Sequence, residues 1–265
     1  SQILGGWNAQ GLILDHYGTD LEWEQAQNLP LFVIDDLPER IHDCEVLLDQ
    51  NLPDLLRNYS FPQGRTPITL IGPHYALLRD EFRTSPLAQP ASIADKVLVS
   101  VGGTDPHFAT AWVLNTLAKA NPNLTVVVTF SKNSDHLAAL KTLIDATPIS
   151  VELHLDAPNM SELMLETRFT IGAAGSSCWE RCALGVPSIL FSVAPNQDRL
   201  VETISAQGGA LAIQMFDTEA LEVATQKLLY HDDSLLTMAA AAQVICDGKG
   251  VSRTVPAILN MLKPI

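Results

Sequence analysis

The chain is 265 residues long and carries 30 acidic against 16 basic side chains, a formal net charge of -14, with 47% hydrophobic and 17% charged residues. That balance argues against a nucleic-acid partner, which needs clustered Lys and Arg to neutralise phosphates, and against disorder, because so apolar a chain can bury a core. No apolar run reaches the ~18 residues that span a bilayer; even residues 182–197 are interrupted by Gly185, Pro187 and Pro195, so no stable membrane association is expected.

At the amino end, Ser1-Gln2-Ile3-Leu4 shows neither an initiator Met nor a basic-then-apolar leader, and the chain reads as starting part-way into a domain. Residues 12–14 predict a strand, 21–28 a helix, 31–34 a strand and 46–48 another. A Pro/Ser/Ala-rich stretch at 84–94 then reads as an interdomain linker, which leaves 1–83 as a partial first domain with about three strands.

Beyond the linker, strands at 97–101, 124–130, 151–155, 169–172, 188–193 and near Leu211 alternate with helices at 108–120, 136–144, 160–166, 177–184 and 197–206. Strands separated by helices imply an α/β fold with a parallel sheet and right-handed crossovers. Residues 95–250 are expected to form this second domain, and 251–265 a helix that packs back on the first. The four cysteines, Cys44, Cys178, Cys182 and Cys246, are too scattered for a disulfide framework, so a reduced, cytoplasmic setting is expected. Cys178 and Cys182 stand one helical turn apart, but no further ligand follows at zinc-site spacing; both read as small core residues and no metal is expected.

Open α/β sheets bind ligands beyond the carboxyl ends of their strands, which directs attention to three strand-to-helix turns. In Gly102-Gly103-Thr104-Asp105-Pro106 two glycines admit backbone amides to a ligand and Pro106 is expected to open a helix. A plain turn with a Thr or Asp cap explains the same residues. In Gly175-Ser176-Ser177-Cys178-Trp179-Glu180 the serines offer hydroxyls and amides at a helix start, and Glu180 stands where a carboxylate can accept from two ribose hydroxyls. Ser177 and Glu180 also have the spacing of a capping box. In Ala194-Pro195-Asn196-Gln197, Asn196 is either a ligand residue or only a helix cap. Three such turns on one sheet edge suggest a nucleotide diphosphate site. In the first domain, Asp15-His16-Tyr17-Gly18 ends a strand, and His16 and Tyr17 are acid/base candidates, although a polar turn accounts for the cluster as well. The remaining histidines read as surface or satisfied residues.

Leu14-Asp15-His16-Tyr17-Gly18, Asp35-Asp36, Asp43-Cys44, Leu48-Asp49-Gln50-Asn51, the run from Tyr75 to Phe82, Gly102-Gly103-Thr104-Asp105 and Asp247-Gly248-Lys249-Gly250 together resemble the nucleotide-sugar hydrolase family of pseudaminic acid biosynthesis. That family releases UDP from UDP-2,4-diacetamido-2,4,6-trideoxy-β-L-altropyranose. The resemblance implies a GT-B-like pair of Rossmann-type domains, the first incomplete, related to the transferase that adds N-acetylglucosamine to lipid-linked peptidoglycan precursors. It implies UDP and a UDP-sugar as partners; no cofactor and a monomer are expected.

By the same resemblance Glu180 holds the ribose, Ser176 and Ser177 the diphosphate, and Asn196 and Gln197 the phosphate or sugar, with Tyr17 needed for turnover in the cleft. Gly102, Gly103 and Thr104 join the binding set, and His16 and Asn196 the catalytic one. The family's opening GxGHxxR loop, whose histidine activates water, has no counterpart in the chain. Low activity of the chain by itself is therefore expected. The alternatives are a GT-B glycosyltransferase using a UDP-sugar, and a catalytically incomplete UDP-sugar-binding fragment.

Overall fold

The computed structural model describes residues 9–51, 59–92 and 95–263. It divides into two units, Ser1–Leu77 with Lys249–Ile265, and Leu78–Gly248.

In the first unit four short apolar runs form β1 (Leu12–Leu14), β2 (Leu31–Ile34), β3 (Val46–Asp49) and β4 (Ile68–Ile71), hydrogen-bonded in that order and all parallel. Alternation along the strands supplies both faces. Phe32, Val46, Leu48 and Leu70 pack with Ala257 of the C-terminal helix Gly250–Met261, while Leu31, Val33, Cys44 and Leu47 form a separate cluster. That helix approaches so closely that a Cβ on Gly250 would lie 2.1 Å from the Ala76 carbonyl oxygen. A short helix, α1 (Leu21–Gln25), follows β1; the Asp20 carboxylate caps it by accepting from Trp23 N–H at 2.9 Å. The expected count of three strands is thus corrected to four. In β4 only Leu70 is buried and Ile68 and Thr69 are exposed, so the edge strand lacks a sustained apolar pattern.

The second unit opens with α2 (Asp80–Thr84) and then alternates β5 (Lys96–Ser100), α3 (Ala109–Ala120), β6 (Thr125–Phe130), α4 (Leu137–Ala146), β7 (Ser150–Leu155), α5 (Met160–Leu165), β8 (Phe169–Ala173), α6 (Ser177–Leu184), β9 (Ser188–Phe191), α7 (Pro195–Ala206) and β10 (Leu211–Ala212). Two further helices, α8 (Thr218–Tyr230) and α9 (Asp232–Ile245), complete it. All six strands are parallel, in the order β10-β9-β8-β5-β6-β7. Continuous runs such as Val97-Leu98-Val99 and Val126-Val127-Val128 are fully buried, as expected of strands covered on both faces. Sequence order reverses between β5 and β8, so the loops leaving these neighbours diverge, with α3 packing on α8 and α6 on α5 and α9. A crevice at the carboxyl ends of β5 and β8 follows.

Residues 84–94 are not the boundary between the units, which falls at Leu77/Leu78 and Gly248/Lys249. The Ala88 N–H donates to the Leu184 carbonyl at 2.8 Å, and the turn Pro90–Ser92 packs on α9. Its Pro and Ala content therefore reflects a loop laid over helices of its own unit.

Candidate functional site

The crevice at the β5/β8 switch point is a cleft of about 430 Å³ contained wholly in the second unit. Gly102, Gly103, Gly175, Ser176, Ser177, Glu180 and Gln197 all line it, so the structure brings these predicted residues together. Thr104 is not in the wall; its carbonyl instead accepts from the Ser134 hydroxyl at 3.1 Å. The opposite wall comes from the ends of β6 and β7, with Ser131, Asp156 and Met160, which the sequence reading missed. Their signal was available, since each follows a strand on the same sheet edge.

After β5 the chain turns through Gly102 at φ +110°, a conformation that a side chain would strain. The helix does not open at Pro106. It begins at Ala109, because the buried Asp105 carboxylate accepts from the Ala109 and Thr110 amides at 2.8 and 2.9 Å. The side chain of Asp105 itself therefore occupies the start of α3, where the sequence reading expected an anionic ligand. Asp105→Ala removes this cap and strands two buried amides; a stability loss of about 2 kcal/mol is expected in denaturant unfolding, and an unchanged midpoint would contradict the assignment.

The turn after β8 is built differently. Ser176 is the N-cap of α6 and makes no side-chain cap bond, while the Ser177 hydroxyl accepts from Arg181 Nη2 at 2.7 Å. The capping box that the spacing of Ser177 and Glu180 also allowed is therefore absent. The first turn is closed by Cys178 and Trp179 amides bonding to the Gly175 and Ser176 carbonyls, which leaves the amides of Gly175, Ser176 and Ser177 without partners among the described residues. These amides, with the positive end of α6, form an anion-favouring surface. Glu180, one turn in, reaches Arg79 at 3.5 Å, and Arg79 also pairs with Glu81 at 2.7 Å. Burial raises the Glu180 carboxyl above its ordinary value of 4.5, against the opposing pull of Arg79 and Arg181.

At the third turn, α7 starts at Pro195 with Ala194 as N-cap, so Asn196 lies inside the helix and is not its cap. The side chain of Asn196 lies outside the described residues. Gln197 turns its Oε1 back to accept from the Val193 amide at 3.0 Å, leaving its amide group as a donor.

His16 and Tyr17 belong to the first unit, beyond the carboxyl end of β1. The Tyr17 hydroxyl donates to Asp36 Oδ1 at 2.6 Å, and Asn51 Nδ2 donates to Asp36 Oδ2 at 2.9 Å. This bond, then burial and the neighbouring carboxylates, push the phenol up to about 12, so it stays protonated at neutral pH. His16 Nδ1 accepts from the Gly18 amide at 2.8 Å. In the neutral ring the proton then sits on Nε2, which makes the outward nitrogen a donor rather than a base. Behind these lie buried acids the sequence reading did not connect: Glu24 bonds His42 Nδ1 at 2.9 Å, Asp35 pairs with Arg40, and Asp49 accepts from Tyr59 at 2.9 Å.

All four cysteines are buried and none forms a disulfide, and burial raises the Cys178 and Cys182 thiols, so both are inert core groups. Among the described residues no cluster of three or more His, Cys, Asp or Glu could hold a metal ion, and no helix is long and apolar enough to cross a membrane.

No protein-family model matches the chain. It is similar to the spore coat polysaccharide biosynthesis protein SpsG of Bacillus subtilis, 26% identical over 219 residues that cover 78% of this chain and 62% of that protein. The chain thus spans less than two thirds of the length of that relative. Acinetobacter baumannii MurG matches with a TM-score of 0.66 at 14% identity, over 98% of this chain and 76% of that one. The UDP co-structure of S. aureus MnaA gives a TM-score of 0.66 at 12% identity, over 98% and 79%. The fold is of the GT-B type. Its two α/β units with parallel sheets are those described above.

Proposed function

We propose that the chain acts on a UDP-linked sugar, with the second unit holding UDP, and that the reaction is hydrolysis of a UDP-linked diacetamido-trideoxy sugar. The observation that carries the nucleotide reading is the α6 turn: three unpartnered amides at a helix start with a half-buried carboxylate one turn beyond. The amides suit a diphosphate, and Glu180 suits a pair of ribose hydroxyls. Support also comes from the UDP seen in the MnaA co-structure, and from the likeness to a polysaccharide biosynthesis protein. Choice of water over another acceptor rests on the motifs that resemble the hydrolase family.

In this reaction water attacks the anomeric carbon, the carbon–oxygen bond to the β-phosphate breaks, and UDP departs with that electron pair. The water proton passes to a base or to solvent. Amides at Gly175, Ser176 and Ser177 meet the charge that develops on the leaving diphosphate. Turnover in H₂¹⁸O tests the chemistry: the label is expected in the free sugar and not in UDP. Label in UDP, or sugar transfer to an added acceptor in preference to water, would contradict hydrolysis.

Tyr17 is assigned to turnover rather than nucleotide binding. Tyr17→Phe deletes the donor to Asp36 but keeps the ring, so in a protein extended at its amino end to supply the GxGHxxR loop kcat is expected to fall about 10-fold, roughly the effect of one charge-assisted hydrogen bond. UDP affinity should stay within about twofold. An unchanged kcat would make Tyr17 a structural residue.

A further inference from the structure

Arg181 heads the fully buried side chains, ranked by volume, at 1% exposure. Its guanidinium uses only Nη2, which donates to the Ala173 carbonyl at 2.9 Å and to the Ser177 hydroxyl at 2.7 Å. Nε and Nη1 have no partner, and no carboxylate forms an ion pair with the group among the described residues. Burying a cation with idle donors costs several kcal/mol, and a Met of similar length would escape that cost. Such a group calls for a reason other than stability.

Its position supplies one. Both acceptors, Ala173 and Ser177, line the cleft. A Cβ built on Gly172 would stand 3.7 Å from Nη1 and beside the carbonyl of Ser100, another lining residue. The guanidinium therefore lies directly behind the wall formed by the end of β8 and the first turn of α6. We propose that Arg181 is a positioning residue for the anion site, an inference that rests on the nucleotide diphosphate reading of this cleft. It acts in two ways. By filling a lone pair of Ser177 Oγ, it leaves the single hydroxyl proton to be donated into the cleft, toward a phosphate oxygen. Its charge is felt by Glu180 but is tied up in no ion pair among the described residues; it lies where little water screens it, and adds to the field of the α6 amides.

Binding of UDP and of uridine, which lacks the phosphates, to the full chain tests this. Arg181→Met is expected to weaken UDP about 10- to 30-fold, the worth of a charged contact and one hydrogen bond, and uridine less than about twofold. Ser177→Ala should weaken UDP by about fivefold, and the double variant should fall no further than Arg181→Met, because the serine acts under the arginine's control. Arg181→Lys should recover part of the loss. UDP bound by Arg181→Met as by wild type, equal weakening of UDP and uridine, or additive losses in the double variant would each overturn the proposal. Should Arg181→Met fail to fold, Arg181→Lys and Ser177→Ala carry the test: UDP weakened with uridine unchanged supports it, and no change in UDP overturns it. Wild type that does not bind UDP removes the nucleotide reading and this inference together. Wild type that binds UDP, with the variants unchanged, removes the inference alone.

Discussion

Glu180→Ala is expected to lower UDP affinity by about 10- to 100-fold, since a carboxylate accepting from ribose hydroxyls contributes roughly 1.5–3 kcal/mol and each 1.4 kcal/mol is tenfold. Folding should hardly change, because no capping box exists to be lost and Arg79 keeps Glu81 as its partner. The pH dependence adds a second readout. Burial raises the carboxyl in the folded chain above 4.5, so its contribution to stability is present below that value and is lost as pH rises through the raised one. Nucleoside binding should move the other way: only the ionised form accepts both hydroxyls, so uridine affinity should climb through the same range and stay flat in Glu180→Gln. A uridine profile identical in both proteins would contradict the ribose role.

Gly172→Ala is expected to be the most damaging single methyl in the second unit. The added Cβ would lie 1.9 Å from the Ser100 carbonyl oxygen and 2.8 Å from its carbon, and both are backbone atoms of the strand paired to it. No side chain can swing aside, so β5 and β8 must part where the cleft opens. Overpacking of this kind costs about 3 kcal/mol or more, or roughly 10 °C in Tm for a unit of this size. UDP binding should weaken with it, because the amides of the following turn move. A Tm within a degree of wild type would show that the strands relax freely and would remove the geometric basis of the cleft.

The second unit's sheet is legible in the sequence because its strands are buried on both faces, so Val97-Leu98-Val99 and Val126-Val127-Val128 appear as uninterrupted apolar runs between amphipathic helices. In β4, exposed Ile68 and Thr69 leave one buried leucine, too little for a pattern. Helix α9 hides for another reason: its run Ala239 to Ala242 blurs the contrast between faces on which periodicity depends.

The cleft-lining turns after β5 and β8 could be placed because glycines and serines follow strands there. The use of their side chains could not. Asp105 caps α3 through a left-handed turn at φ 39°, and Ser177 is committed to Arg181 rather than to the helix start. Arg181 lies near the end of a short helix, and nothing in its local spacing marks it as buried. The Tyr17–Asp36–Asn51 set is likewise invisible to local spacing, since 19 and 15 residues separate Asp36 from its partners.

The central claim is that the α6 turn holds a nucleoside diphosphate with its ribose on Glu180. Calorimetric titration of wild type with UDP and with 2',3'-dideoxy-UDP tests it most directly. UDP is expected to bind at one site, and the dideoxy analogue about 10-fold or more weakly, as the two hydroxyls it lacks are those given to Glu180. Equal affinity for the two nucleotides, or no binding of either, would contradict the account.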